Sequence, residues 1–417
     1  MSPAFTRSSY IQFATRVIAI ALAMIGQVGQ AQTNLSDENG QWSYQLGTDL
    51  WRLNPSVKND SLPNYVEENS NLLLPNSHTK WSYNDLSAWG RLIGTKRLEN
   101  DITANTKMRA DQTVGFRVDE AHIQKDISPY LGLRAGVVDY KTSWCRAYEP
   151  NNGWIHENET ICNTPQFRAV TGGAPGAQVL VQKAWNDHYL LQSQFGIYRP
   201  LLWGYASKEF GNLVPSPNYQ VQTNHKTGIN LNLLNLHNGF EARFSYIQSY
   251  QTAYLPESQL QGFEKLRSDL TYLGLNFPLN ERTSIRLTHL HQLQKGTCRS
   301  SIAKIASSCN LNLVFDKAAT AIELSYQGSV SNFYSFGLSQ TTFDLQQIFF
   351  TPSLDVYREA APSNTLSKQA SFAWRKNWNQ HLFTIAQYLL SEHKSSVENI
   401  DYKSHGNAVG LRLGYVY

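Results

Sequence analysis

The chain has 417 residues, 41% apolar and 16% charged, with 36 Lys and Arg against 32 Asp and Glu for a formal net charge of +4. So even a balance leaves no electrostatic footprint for nucleic acid. No apolar run approaches the roughly 20 residues that a membrane-crossing helix needs, whereas 22 Tyr, 18 Phe and 10 Trp suit a membrane β-barrel with its aromatic belts.

Residues 1–31 read as a secretory signal peptide. Arg7 and Arg16 supply its positive charge, 17–28 its apolar core, and Gly29, Gln30 and Ala31 a small-x-small cleavage site. The expectation is an exported chain of one domain, 32–417. The four cysteines fall into two close pairs, Cys145 with Cys162 and Cys298 with Cys309, each bracketing a polar segment. Of the three possible pairings the local one is expected in an oxidising compartment. Zinc is the competing use, but no Cys-x-x-Cys spacing and no clustered His accompanies these residues, so no metal and no cofactor is expected.

From 41 onward, segments of roughly ten residues alternate apolar and polar positions, the length and period of a tilted membrane strand. The earliest are 41–52, 80–94, 101–109, 114–124 and 131–140. Later ones are plainer: Phe240, Ala242, Phe244 and Tyr246 alternate with Glu241, Arg243 and Ser245, and Ala370, Phe372 and Trp374 with Ser371, Ala373 and Arg375. Short hinges at 126–130, 186–187, 237–239, 279–282, 328–330 and 377–379 alternate with long polar segments at 143–176, 200–224, 252–266, 295–316, 342–366 and 391–406. This alternation of turn and loop marks an all-β, transmembrane up-and-down antiparallel barrel. About sixteen strands are expected, fourteen and eighteen being the neighbouring even counts.

The last strand, 406–417, puts Val409, Leu411, Leu413, Tyr415 and Tyr417 on one face and Arg412 between two glycines on the other. An apolar-alternating strand ending on an aromatic resembles the C-terminal signal of bacterial outer-membrane proteins, with Tyr417 where Phe is commonest. Asp119, Glu120, Ala121, His122 and Ile123, then Leu133, Arg134, Ala135 and Gly136, then Pro175, Gly176, Ala177 and Gln178, are similar to the middle of bacterial general and substrate-selective porins. The resemblance implies passive diffusion of small hydrophilic solutes through a water-filled channel in the bacterial outer membrane. It also implies a homotrimer, contact with outer-membrane lipid and lipopolysaccharide, assembly by the barrel-assembly machinery, and a loop after the fifth strand that narrows the lumen.

That loop is expected at 141–176, with Arg146, Glu149, His156, Glu157, Glu159 and Arg168 at the constriction. A Cys145–Cys162 bridge would restrict it. Asp49, Lys107, Arg109, Arg117, Asp119, Arg134 and Arg412 are expected on the pore wall. Basic wall residues opposite acidic loop residues would set up a transverse field with a mild preference for polar or anionic solutes. Aromatics Trp144, Tyr148, Trp154, Trp203 and Tyr205 could stack sugar rings or simply pack the loops. Two rival classes remain open. One is a structural or adhesive barrel with a filled lumen. The other is an outer-membrane hydrolase, for which His188 with Ser193, His289 with Ser284, and Ser404 beside His405 are the available pairs.

Overall fold

The computed structural model describes residues 40–57, 83–111, 115–138, 174–185, 188–198, 220–254, 261–300, 310–345, 348–350, 357–359, 363–397 and 400–417. The expected signal peptide 1–31 and most of the expected constriction loop, with Arg146, Glu149, His156, Glu157, Glu159, Arg168, Cys145 and Cys162, lie outside these residues, as does Cys309.

Sixteen strands form one closed antiparallel barrel. In chain order they are β1 (Gly40–Val57), β2 (Tyr83–Arg97), β3 (Ile102–Asp111), β4 (Gly115–Ser128), β5 (Leu131–Val138), β6 (Ala174–Trp185), β7 (Tyr189–Tyr198), β8 (Gln220–Asn235) and β9 (Glu241–Tyr254). There follow β10 (Gln261–Asn280), β11 (Thr283–Ser300), β12 (Asn310–Ser329), β13 (Asn332–Leu345), β16 (Ser363–Asn377), β17 (Leu382–Val397) and β18 (Ile400–Val416). A two-stranded sheet, β14 (Ile348–Phe350) with β15 (Tyr357–Glu359), stands apart between β13 and β16. Each barrel strand pairs with the next along the chain and β1 pairs with β18. This is the up-and-down arrangement expected from the turn-and-loop alternation, with the expected strand number.

The period-two pattern decides which face is which. Leu50, Ile123, Leu133, Phe195, Leu273, Ile322, Phe336, Phe372, Leu390 and Leu411 point outward and stay exposed. A belt of that size would be untenable against water and is satisfied by hydrocarbon. At the end holding the short turns the belt is rimmed by Trp42, Tyr130, Trp185, Tyr189, Tyr326, Tyr334 and Trp378, exposed outer-face aromatics at interface height. Lys183 and Lys376 sit over the Trp185 and Trp378 rings at 5.6 and 4.1 Å.

The short turns use side-chain chemistry. Asn235 Oδ1 accepts from the backbone N–H of His237 and Asn238, Asn379 Oδ1 from His381 and Leu382, and Ser128 Oγ from Tyr130 and Leu131. Each short polar side chain thus replaces ladder bonds lost where the chain reverses.

The expected loops at 252–266, 295–316 and 391–406 are shorter than the sequence suggested. β9 runs to Tyr254 and β10 begins at Gln261, β11 runs to Ser300, and β17 and β18 nearly meet across 398–399. Beyond the apolar belt both faces are polar, so the alternation disappears while backbone pairing continues. On the outer face there, His291 Nε2 lies 2.8 Å from Asp316, the Tyr246 hydroxyl donates to Asp269 at 2.7 Å, and Lys403 meets Glu392 at 3.0 Å.

Thirteen residue pairs close β1 against β18, from Gln45–Val416 to Val57–Ser404. One step further, Tyr44 and Tyr417 exchange both backbone bonds at 3.0 and 2.9 Å, and their rings stack at 5.2 Å, with His381 stacked on Tyr417 at 5.6 Å. Replacing Tyr417 by Asp puts a charge into this stack and removes the last closing contact. The expected outcome is a lower folded fraction on a heat-modifiability gel, with the surviving barrels keeping the β-sheet circular dichroism of the wild type. Normal assembly of Tyr417→Asp would contradict the role given to the stack.

Candidate functional site

The site is the inner wall. At the seam, the register places Asp49 on β1 directly opposite Arg412 on β18. The guanidinium donates through Nε to Asp49 Oδ1 and through Nη2 to Oδ2, both at 2.7 Å. Trp89 on β2 donates its indole N–H to Asp49 Oδ1 at 3.2 Å, and its ring lies 5.1 Å from the guanidinium carbon. Arg412 is wholly buried. The neighbouring rung is Gly47 opposite Gly414. A Cβ at Gly47 would enter the Trp89 ring and one at Gly414 the Phe383 ring, so two inward aromatics lie flat over two glycines beside the ion pair.

Around the wall, most described inward cations have a named partner. Lys107 on β3 reaches Glu120 on β4 at 3.6 Å, Arg243 meets Glu241 at 2.7 Å and Arg286 meets Glu323 at 3.7 Å. Arg134 on β5 donates to Gln124 Oε1 at 2.8 Å and to Gln178 Oε1 at 3.3 Å, and the Gln178 amide donates to the Tyr198 hydroxyl at 3.0 Å. Asn230 and Asn232 on β8 donate to Gln194 and Gln192 on β7, each at 3.3 Å. The wall is therefore polar but largely paired. Because Arg412 is bonded to Asp49 and Lys107 faces Glu120, these two add less to a transverse field than unpaired charges would.

Of the residues read from the sequence as pore wall, Asp49, Lys107, Arg134 and Arg412 face inward in these pairs. Arg109 and Arg117 oppose each other in the β3–β4 register. Asp119 falls at a β-bulge, where the register steps from Met108–Val118 to Lys107–Glu120. The extra residue shifts the parity, so Glu120 holds the position opposite Lys107. Counting straight through 117 and 119 could not find it, because a bulge leaves no mark in the hydrophobic pattern. Trp89 also escaped notice, although the β2 alternation carries it inward. Cys298 lies on β11 opposite Phe263.

A second part of the inner wall is apolar. Val138, Tyr198, Ile247, Leu270, Tyr272, Leu290, Ala319 and Ala321 form one buried cluster across β5 to β12. Tyr272 and Leu290 have no exposed surface although they point to the lumen. Two of the candidate hydrolase pairs do not assemble, and the Ser404 side chain of the third lies outside the described residues. Ser284 and His289 lie on opposite faces of β11, with His289 turned outward to Thr320 at 2.9 Å. His188 packs edge-on against His237 in a turn, with centroids 6.0 Å apart, while Ser193 lies five residues away, about 16 Å at strand rise. Among the described residues no group of three or more His, Cys, Asp or Glu gathers to hold a metal.

No family model matches this chain, and no curated protein matches it. Solved structures do share its fold. Outer-membrane expressed OmpT of Vibrio cholerae is 8% identical, with a TM-score of 0.53 over 92% of this chain and 99% of that one. The outer membrane channel DcaP of Acinetobacter baumannii is 11% identical, with a TM-score of 0.53 over 92% and 99%. The anion-selective porin from Comamonas acidovorans is 10% identical, with a TM-score of 0.52 over 91% and 99%. The fold is that of bacterial outer-membrane porins, matched along nearly the whole length of each.

The seam pair makes a test. Arg412→Met or Asp49→Asn alone leaves one buried charge unmatched and should destabilise the barrel by about 3–5 kcal/mol. The double variant should recover most of that loss. Urea unfolding in detergent, followed by tryptophan fluorescence, reads the difference.

Proposed function

We propose that this protein is an outer-membrane porin through which small hydrophilic solutes diffuse passively. The observation that carries the proposal is the division of faces in a closed sixteen-stranded wall: a continuous apolar belt outside, and cross-strand charged and amide pairs inside. A wall of this number of strands encloses more space than its own side chains fill. The short-turn end, where β1 and β18 close, is the periplasmic end in this reading, and the long segments leave from the outer end. There Lys368, Lys394 and Lys403 point outward above the belt, where lipopolysaccharide headgroups carry phosphate. An apolar groove of about 680 Å³ on the outer face, lined by Ile123, Leu133, Val179, Phe195, Ile197 and Ile229, fits lipid or a neighbouring subunit of a homotrimer.

The segment 141–176 leaves β5 and returns as β6, two adjacent strands, which suits a loop that folds inward as the constriction. Its acidic residues Glu149, Glu157 and Glu159 then face a wall whose own charges are largely paired, and they dominate selectivity. A filled, non-conducting barrel is the second reading, because Tyr272 and Leu290 face the lumen without exposed surface.

Planar-bilayer recording separates the two readings. A porin conducts in steps, and the double change Glu157→Gln with Glu159→Gln shifts its reversal potential toward anions. Charges on an external loop would sit more than a Debye length of about 10 Å from the path at roughly 0.1 M salt and would change almost nothing. Joint Cys145→Ser and Cys162→Ser should give larger or noisier currents, as a tethered loop gains freedom. Steady absence of conductance would favour the filled barrel.

A further inference from the structure

Among the described residues, one inward cation has no partner. Lys317 on β12 faces the lumen, is almost completely buried, and its ammonium has no hydrogen-bond partner. Directly across the rung lies Gln292 on β11, also fully buried, with both its amide oxygen and its amide nitrogen unpaired. On the next strand, β13, the inward hydroxyls of Thr341 and Ser339 are buried and unpaired as well. Thr341 stands opposite Ala319, the next inward residue after Lys317.

Four unpaired polar side chains on three adjacent strands do not arise from loose packing of one residue. A buried ammonium is strongly unfavourable without a counter-charge, and a buried amide is unfavourable without partners. Among the described residues no counter-charge lies here. Asp316 and Asp344 lie on the outer face of the same wall, and Glu323, the nearest inward acid on β12, is three rungs away and bound to Arg286 at 3.7 Å. The group offers an ammonium, an amide N–H₂ and two hydroxyls, so it is built mostly of donors. Next to it Ala319 and Ala321 join Leu290 and Tyr272 in the buried apolar cluster.

We propose that Lys317, Gln292, Thr341 and Ser339 form a binding site for the carboxylate of a small organic monoanion, whose apolar body rests against the Leu290 and Tyr272 cluster. One negative charge matches one ammonium, whereas a phosphate dianion would leave a buried charge uncompensated. The planar carboxylate presents one oxygen to the ammonium and the other to the amide and hydroxyl donors. The proposal deepens the channel reading and rests on it for how the solute arrives: the site is a stopping point for organic acids on the way through.

Benzoate is the probe. Calorimetric titration into the detergent-solubilised full chain should show one saturable site. Lys317→Met, matched in length, should weaken it roughly tenfold or more, the effect of losing a charge-assisted hydrogen bond. Lys317→Arg should keep most of the affinity, and Gln292→Leu should lose part of it. Inorganic phosphate should bind more weakly than benzoate, and neutral benzyl alcohol should not compete. Equal benzoate binding by wild type and Lys317→Met, no saturable binding, or tighter binding of phosphate would each overturn the site. Bilayer currents keep the two proposals apart. Conductance without benzoate binding removes the site and leaves the channel, while Lys317-dependent binding without conductance keeps the site and removes the channel.

Discussion

Closure of β1 on β18 is the constraint from which the other features follow. In hydrocarbon an unpaired backbone N–H or C=O costs several kcal/mol, so a sheet in a membrane must have no edge. The thirteen-pair register at this seam removes both edges at once. It joins residues 347 to 371 positions apart, so its loop-closure entropy is borne only when every other strand is already in line. The bidentate bond between Arg412 and Asp49, two residues 363 positions apart, sits in the middle of that register. A slip by one residue would turn the Arg412 guanidinium toward lipid and Leu411 or Leu413 toward the lumen. The pair thus acts as a register lock, a role better attested for buried polar groups than a gain in net stability.

Once the cylinder is closed, the two faces are subject to different chemistry. Outside, hydrocarbon accepts any apolar side chain of suitable size, and the belt is accordingly mixed: Leu, Ile, Val and Phe with no fixed partners. Inside, each polar group requires a named neighbour. Lys107 and Glu120, Arg286 and Glu323, Arg243 and Glu241, and the amide chain from Arg134 through Gln178 to Tyr198 meet that requirement across strands. The result is a wall that is polar enough for water and whose charged groups are mostly held by named neighbours. Against such a background one unmatched ammonium at Lys317 carries weight that it would not have among many.

The amino-acid sequence by itself determined the architecture. The period of two, the alternation of short turns with long segments, and Asn or Ser at the reversals are local features, and they sufficed for an all-β barrel of sixteen strands with Leu411 and Leu413 outward and Arg412 inward. The inward direction of Asp49, Lys107 and Arg134 was legible for the same reason, because parity along an unbroken strand is local. Partnership was not. Nothing near Arg412 points to Asp49, since the contact exists only after fifteen intervening strand pairings have set the register.

The tertiary structure also decided where local rules fail. The bulge at Asp119 exchanges it for Glu120 opposite Lys107, because an extra residue is a property of two paired strands and not of one. Strand ends at Ser300 and Val397 lie beyond the apolar belt, where both faces are polar and the pattern that marks a strand vanishes although the ladder continues. The isolation of Lys317 is the clearest case: as one lysine in a polar-alternating strand it resembled any solvated lumen residue. Only the pairing of β11, β12 and β13 shows that its neighbours are donors, with the nearby acids turned to the other face. Local sequence determines the direction in which a strand side chain points, and long-range register determines what it meets there.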